Sequence, residues 1–348
     1  MGAEKLQYNF YFKMAVQEGP GRAEAVEAAL LEREVETLLG LVPRLKRLVG
    51  EQEEGEQVEL AVADIIYGSY STEGDGVVVA RDLLAEGYTH PTVGPGLPLP
   101  TLVAGVEALA RLHATSAVLL EREGVEQVLE QLPHLDQGYY DHGVVRDRMA
   151  ELLKDFCGLV RRVPGYHTQY QRMEGWRARA ANIITSTRSY RLPVHSEKTR
   201  GGIGTKTVAS TLQEASGWSA PGLPHPRQPL HGQHPGQGEV GESLDHHPTT
   251  PQVVLTDWKG AVLGSPMSDL AMFLLSSTDL ATRTDHLYQL LDTYNFAFCR
   301  AVQRLGLEPA ATWPAFSPAA LRTEFDRWGA AATRPGASSG RSCRWPPT

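Results

Sequence analysis

Residues 252–277 read QVVLTDWKGAVLGSPMSDLAMFLLSS. The opening QVVLT is a short apolar, β-branched run that reads as a strand. Asp257 stands at its end, a position from which a side chain can reach a bound ligand, although a carboxylate after a strand commonly closes a turn or caps a helix. Twelve residues later Asp269 opens the apolar run LAMFLL, where an N-cap is the ordinary explanation. A strand carboxylate followed by a helix that begins on a second carboxylate is the pattern around which the rest of the chain is read.

On the N-terminal side of this stretch, residues 195–251 lose all periodicity. Seven prolines fall between Pro221 and Pro251, among scattered Gly and His, so the segment is expected to be irregular. On the other side, helical spacing continues to about Trp328, and residues 331–348 read as a disordered tail. At the start of the chain, FYFKMAV (10–16) reads as a strand. Residues 22–41 then read as a helix, with Leu31, Val35, Leu38 and Val42 at helical spacing and Pro43 closing it. The acidic EQEEGEQ (51–57) reads as a solvated loop. LAVADIIYGSY (60–70) and VVVA (77–80) flank Asp75-Gly76 as a hairpin. After a Pro/Gly-rich loop at 88–100, a helix from Thr101 has Leu102, Val106, Leu109 and His113 on one face, and another covers about 144–162.

Composition narrows the function. The chain has 348 residues, 41% of them hydrophobic, and a formal net charge of −8. A substantial core is therefore expected, and nucleic acid is not, because neutralising phosphates requires clustered cations. Cys157, Cys299 and Cys343 lie far apart with no CxxC pair, which suits a reducing compartment and no zinc site. No apolar run approaches the length of a membrane span. The start MGAEKLQYNFYFKM has no secretory pattern, and Leu6 occupies the place where a myristoylation signal carries Ser or Thr. A cytoplasmic location without membrane attachment is expected, and the residues point to no protein partner.

Two further charges stand out. Lys13 sits inside an aromatic strand, where an ammonium needs a partner. Glu34 lies on the apolar side of the following helix with Leu30, Leu38 and Leu41. A strand lysine paired with a helix glutamate is one way to hold a cation on nucleotide phosphates. The competing reading is a snorkelling edge lysine and a surface glutamate.

Five pieces of the chain, in order, resemble the ecdysteroid-kinase-like family, relatives of choline and aminoglycoside kinases. FYFKMAV resembles its lysine strand and LEREVETLLGLVPRL its glutamate helix. VVVARDLLAEGY resembles its hinge, and LARLHATS a helix of the pattern LA.lHA.s. LTDWKGAVLGSPMSDLAMFLLSS resembles the most specific piece, l.DFq....GsP..DLa.fl..s. The resemblance spans residue 8 to about 325. It implies an α+β, protein-kinase-like two-lobed fold. A truncated N-lobe would occupy 1–82 and a mainly helical C-lobe 83–330, with the irregular segment 195–251 inside the latter. It further implies ATP- and Mg2+-dependent phosphorylation of a small-molecule alcohol such as an ecdysteroid. Lys13 would contact phosphates and Glu34 would hold it. Arg81, Asp82 and Leu83 would bind adenine through their backbone. Asp257 would bind Mg2+, Asp269 would brace the catalytic loop, and His113 would be a packed structural histidine.

The chain departs from the family pattern twice. Two strands carrying a phosphate-covering loop would precede the lysine strand, and an HGD….N loop bearing the catalytic base would precede Asp257. Neither is readable, so the catalytic residue stays unassigned. The HGQ at His231–Gln233 has no carboxylate. Residues 224–235, PHPRQPLHGQHP, decoded one base later, permit LTHGNPSTANTL, which contains HG and Asn at the family spacing but Asn or Ser, not Asp, in place of the base. Translation out of frame over part of 195–251 and a divergent linker both remain open. An active kinase, and a non-catalytic or defective kinase-like protein that still binds a ligand, are the two functional alternatives. GGIGTKT (201–207) imitates a phosphate loop, but no apolar strand precedes it and Thr205 breaks the pattern. His225, His231, His234, His246 and His247 have no metal-binding spacing.

Overall fold

The computed structural model describes residues 9–15, 30–52, 58–71, 75–89, 96–136, 143–171, 173–175, 207–209, 218–221, 251–312 and 317–333. The chain is a mixed α+β protein, mostly helical, with a small antiparallel sheet near its start. That sheet contains β1 (Phe10–Ala15), β2 (Ile65–Tyr70) and β3 (Gly76–Arg81) in the order β1-β3-β2. The valines of β3 suit a pleated strand paired on both sides. At the ends of β2 and β3 that face the hairpin turn, the Ser71 N–H donates to Asp75 O at 2.7 Å. Lys13 stands opposite Val78 and Tyr11 opposite Ala80. Cross-strand partners share a face, so these four side chains lie on one side of the sheet. Phe10, Phe12 and Met14 occupy the other side and are exposed.

A continuous helix, α1, covers residues 30–50. Pro43 was expected to end it, yet the helix runs through. A π-turn at Thr37–Leu41 precedes the proline, and the Val42 N–H donates to Thr37 O, five residues back. The shifted ladder puts Pro43 in the first turn of a new α-helical segment, Val42–Gly50, where a missing N–H and a bulky ring are tolerated. The wide turn is pinned from outside. Thr37 Oγ1 donates to Arg33 O at 2.8 Å and lies 2.9 Å from His134 Nε2. Burial and the Arg33 guanidinium pull the His134 pKa down to about 4.

The remaining helices pack around α2 (Leu99–Glu123). Among the described residues it is the one helix long and apolar enough to cross a membrane. It exceeds what the sequence reading allowed, because Glu107 and Arg111 interrupt the apolar run without lowering its average hydropathy below that of a span. Its residues are enclosed instead by other helices, and Leu102, Val106, Leu109 and Leu112 are almost fully buried. α3 (Val125–Gln131) and a 3-10 turn (Pro133–Asp136) follow, then α4 (Gly143–Arg162). After β7 (Val254–Leu255) and β8 (Val262–Gly264) come α5 (Pro266–Ser277), α6 (Leu280–Arg304), α7 (Pro309–Thr312) and α8 (Pro318–Thr333). α8 carries the helix past Trp328 through the alanine-rich residues 330–332, which are strong helix formers. The rest of the tail lies outside the described residues.

Within 195–251, two short strands are described. β5 (Thr207–Ala209) pairs with β8, and β6 (Trp218–Pro221) lies between β4 (Tyr88–Thr89) and β7. They are too short for a period of two to be visible in the sequence. The rest of that segment lies outside the described residues.

One glycine joins the chain entering α2 to the α5–α6 connection. Gly96 has φ +103°, and a Cβ there would lie 2.9 Å from Asp279 N. We expect Gly96→Ala to destabilise the protein by more than about 1 kcal/mol and to lower the thermal midpoint. Gly50→Ala, whose Cβ would meet nothing within 4 Å at the end of a helix, should leave the midpoint unchanged or slightly raised. Equal midpoints for the two variants would contradict this account.

Candidate functional site

Three segments distant in the chain converge on one ammonium. Lys13 Nζ donates to Glu34 Oε2 at 2.5 Å and to Asp257 Oδ1 at 3.0 Å. The strand period turns Lys13 to the same side as Val78, and the packing of α1 on that face brings Glu34, only 4% exposed, beneath it. Asp257 arrives on β7, which is held next to the hairpin's incoming chain. The Leu255 N–H donates to Ala61 O at 2.7 Å. Burial opposes the charge on Lys13, but the Glu34 and Asp257 carboxylates outweigh it and raise its pKa above the ordinary value. Burial raises Glu34, and Lys13 pulls it back. An ammonium shared by two carboxylates is the arrangement in which such burial is tolerated.

The backbone at Asp257 is unusual. With φ 66° and ψ 65° it is the one non-glycine residue of positive φ among those described. Its side chain makes no capping bond to the 3-10 turn Trp258–Gly260 that follows. The turn-cap reading of this aspartate therefore fails. The left-handed conformation instead aims the carboxylate back at Lys13, a strained geometry of the kind that collects at functional sites. Asp269 is not an N-cap either. Ser265 caps α5 by accepting from the Met267 N–H, and Asp269 is buried one turn in. Its Oδ2 lies 3.4 Å from His113 Nε2, whose Nδ1 is 2.9 Å from the Tyr294 hydroxyl. The three side chains join α2, α5 and α6 in the core. His113 is thus a packed residue, fully buried.

Lys13, Glu34, Arg81, Asp82, Leu83 and Asp257 all line one cavity of about 410 Å³. Leu38, Ile65, Val78, Ala80 and Leu255 give it an apolar wall. At its rim, Asp82 Oδ1 accepts from the Leu84 and Ala85 N–H groups at 3.0 and 3.3 Å. This turn directs the Arg81–Leu83 backbone along the cavity edge, while the Arg81 side chain reaches outward to Glu86 at 2.7 Å.

Two residues of the site escaped the sequence reading. Arg33 is buried and donates to Lys259 O at 3.2 Å and Ala261 O at 3.1 Å, clamping the loop after Asp257 onto α1. Lys259 Nζ lies 3.3 Å from Asp257 Oδ2. In LEREVE, Arg33 reads as a solvated helix charge, and only its burial identifies it. Lys259 carried one signal, a cation two residues after a candidate carboxylate. Residues 224–235, residues 201–206 of the loop resembling a phosphate site, and the five histidines lie outside the described residues. Among the described residues no cluster of three His, Cys, Asp or Glu could hold a metal ion.

The family model for ecdysteroid kinase-like proteins matches residues 3–191 and 243–307. The chain belongs to the ecdysteroid kinase-like family. Membership points to a kinase-like phosphotransferase of small molecules. No curated protein and no solved structure matches the chain. In this ecdysteroid kinase-like protein the matched ranges contain all six cavity residues named from the sequence. Residues 192–242, which include 224–235, fall between them.

Removing the shared cation has a consequence with a definite sign. In Lys13→Met, Glu34 is left buried without its nearest positive charge, and its pKa rises further above the ordinary carboxylate range. A carboxyl whose folded pKa exceeds its unfolded pKa loses stability as pH rises through that window. Lys13→Met should therefore be destabilised by roughly 3 kcal/mol near neutral pH and progressively less towards pH 4.5. Adding Glu34→Gln should restore much of the loss and flatten the dependence. Thermal melts of the single and double variants from pH 4.5 to 8 test this, and a single variant equally unstable at both ends would contradict it.

Proposed function

We propose that the cavity takes ATP and that the chain is an ATP-dependent phosphotransferase of small-molecule alcohols, ecdysteroid-like compounds among them. The observation that carries this reading is the ammonium of Lys13, shared by Glu34 and Asp257, at the charged end of a cavity whose other wall is apolar. A nucleotide needs a flat apolar slot for its base, backbone groups at the rim and a fixed cation for its phosphates. Leu38, Ile65, Val78 and Ala80 supply the slot, Arg81–Leu83 the rim, and Lys13 the cation. Glu34 holds Lys13 extended, and Arg33 keeps the Asp257 loop seated against it. In this reading residues 1–82 form the nucleotide side of a two-lobed arrangement and residues 83–330 the other. The free cysteines Cys157 and Cys299 suit the cytoplasm.

Mg2+ is held in such sites by one or two carboxylates together with phosphates and water. Asp257 is the carboxylate on the cavity wall that would hold such an ion, where the ion would neutralise phosphate charge, but both of its oxygens already face ammonium groups, Lys13 and Lys259. The rest of the reading concerns the chain's own groups. Lys13 orients the phosphates, and the apolar wall excludes water from the site.

A second reading, nucleotide binding with little transfer, is favoured by one specific observation. The acidic side chains among the described lining residues are all engaged. Glu34 is paired with Lys13, Asp257 with Lys13 and Lys259, and Asp82 with two backbone amides. Glu34 and Asp257 are thus committed to ammonium groups rather than to an acceptor hydroxyl, and proton acceptance is part of positioning the nucleophile. Calorimetric titration with ATP and Mg2+, combined with a labelled-phosphate transfer assay on steroid alcohols, separates the two. We expect ATP binding that falls at least about tenfold, the worth of one charge-assisted hydrogen bond, in the charge-balanced variant Lys13→Met/Glu34→Gln. Transfer should be slow. Fast transfer dependent on Lys13 would overturn the second reading, and absence of ATP binding would overturn both.

A further inference from the structure

Asp257 is shared by two ammonium groups. Its Oδ1 faces Lys13 Nζ at 3.0 Å and its Oδ2 faces Lys259 Nζ at 3.3 Å. Lys13 already has a closer partner in Glu34 at 2.5 Å. In charge terms Glu34 compensates Lys13, and Lys259 is the cation that compensates Asp257. The Lys259 side chain is only 13% exposed and lines the same cavity. It does not get there as a wandering surface lysine. Arg33 grips the carbonyl of Lys259 itself and that of Ala261, and the left-handed backbone of Asp257 sets the carboxylate it meets. The ammonium is held at both its backbone and its charged end.

We infer that Lys259 is a second phosphate-binding cation and occupies the side of Asp257 that a divalent ion would otherwise take, so that this chain holds a polyphosphate without requiring Mg2+. The inference rests on the nucleotide reading above and deepens it. An ammonium has three N–H donors and no acceptor. Its ion pair with Asp257 Oδ2 leaves donors open to phosphate oxygens, and lysine is a common phosphate ligand acting as a point charge. Mg2+ needs near-octahedral oxygen ligation at short distance and gives up its water reluctantly. Here both oxygens of the carboxylate already face ammonium groups, so an incoming divalent ion would meet two positive charges at its seat. Among the described residues no three-ligand acidic cluster offers it another seat. A cation already built into the wall at the carboxylate is the lower-cost counter-charge for incoming phosphates.

The test is calorimetric titration of the full chain with ATP, once in excess EDTA and once with Mg2+, for the parent, Lys259→Gln and Lys259→Arg. The readout is affinity, independent of turnover. For the parent we expect affinities in the two buffers within about threefold. Lys259→Gln should weaken ATP binding in EDTA by about tenfold or more, the loss of one charge-assisted contact, and Mg2+ should recover most of it. Lys259→Arg, which keeps the charge, should stay close to the parent in EDTA and guards against a folding defect. Lys259→Gln binding ATP as tightly as the parent in EDTA would overturn the inference while leaving the nucleotide site intact. So would a parent that binds only with Mg2+. A parent that binds ATP in neither buffer would overturn the nucleotide reading itself.

Discussion

Lys13 is the point through which the strand, the helix and the β7 loop are joined. Its ammonium lies 2.5 Å from Glu34 and 3.0 Å from Asp257, and these carboxylates come from positions 21 and 244 residues away in the chain. Burying a charge without a partner costs several kcal/mol. The sheet face, α1 and the segment ending at Asp257 therefore have to meet within hydrogen-bond distance or not pack closely at all. This constraint accounts for the strained backbone at Asp257 and for the side of the sheet that turns inward.

Arg33 and the π-turn have the same purpose at the next remove. α1 has to present Glu34 to Lys13 on one turn, Leu38 to the cavity on the next, and then continue past a proline into the core. A regular helix cannot carry Pro43 at that place without a clash. Inserting one residue at Thr37–Leu41 resolves the conflict, and Thr37 and His134 pin the irregularity. One residue before Glu34, Arg33 spends its donors on the carbonyls of Lys259 and Ala261. The glutamate and the aspartate are thereby set by one rigid joint. Each helix–loop contact contributes modestly, but the distance between the two carboxylates depends on all of them.

Away from the cavity, stability rests on a different foundation. α2 packs against α5 and α6 and is long and apolar enough to cross a membrane, yet its His113 joins Tyr294 and Asp269 in a compact buried polar set. Burial and the neighbouring Asp269 hold the Tyr294 hydroxyl well above its ordinary pKa, so the group serves as a hydrogen-bonding partner in the core. Phe273, Phe298 and Leu109 fill the space around it. The charged joint sits at one edge of this core, since Leu38 of α1, Val78 of β3 and Leu255 of β7 line the cavity and also belong to the apolar cluster.

Local pattern was enough to identify the strand at Lys13, the hairpin with valines at 77–79, the buried face of the helix expected from Thr101, and Lys13 as a charge that needed a partner. Each depends on period, turn chemistry or an uncomfortable charge, which are properties of residues close together in the chain. The passage of α1 through Pro43 was not legible, because a π-turn has no composition of its own and exists only when packing makes it the cheaper solution. Asp257 and Asp269 both read as caps, and neither is one, because Ser265 takes the cap and the partners of the two carboxylates come from distant segments. Arg33 looked like any solvated helix charge, and Lys259 like an ordinary loop residue. The sequence by itself determined the types of element and the charges that needed partners. Only the tertiary structure decided which partners they found, because an ion pair between residues 13 and 257 leaves no trace in either neighbourhood.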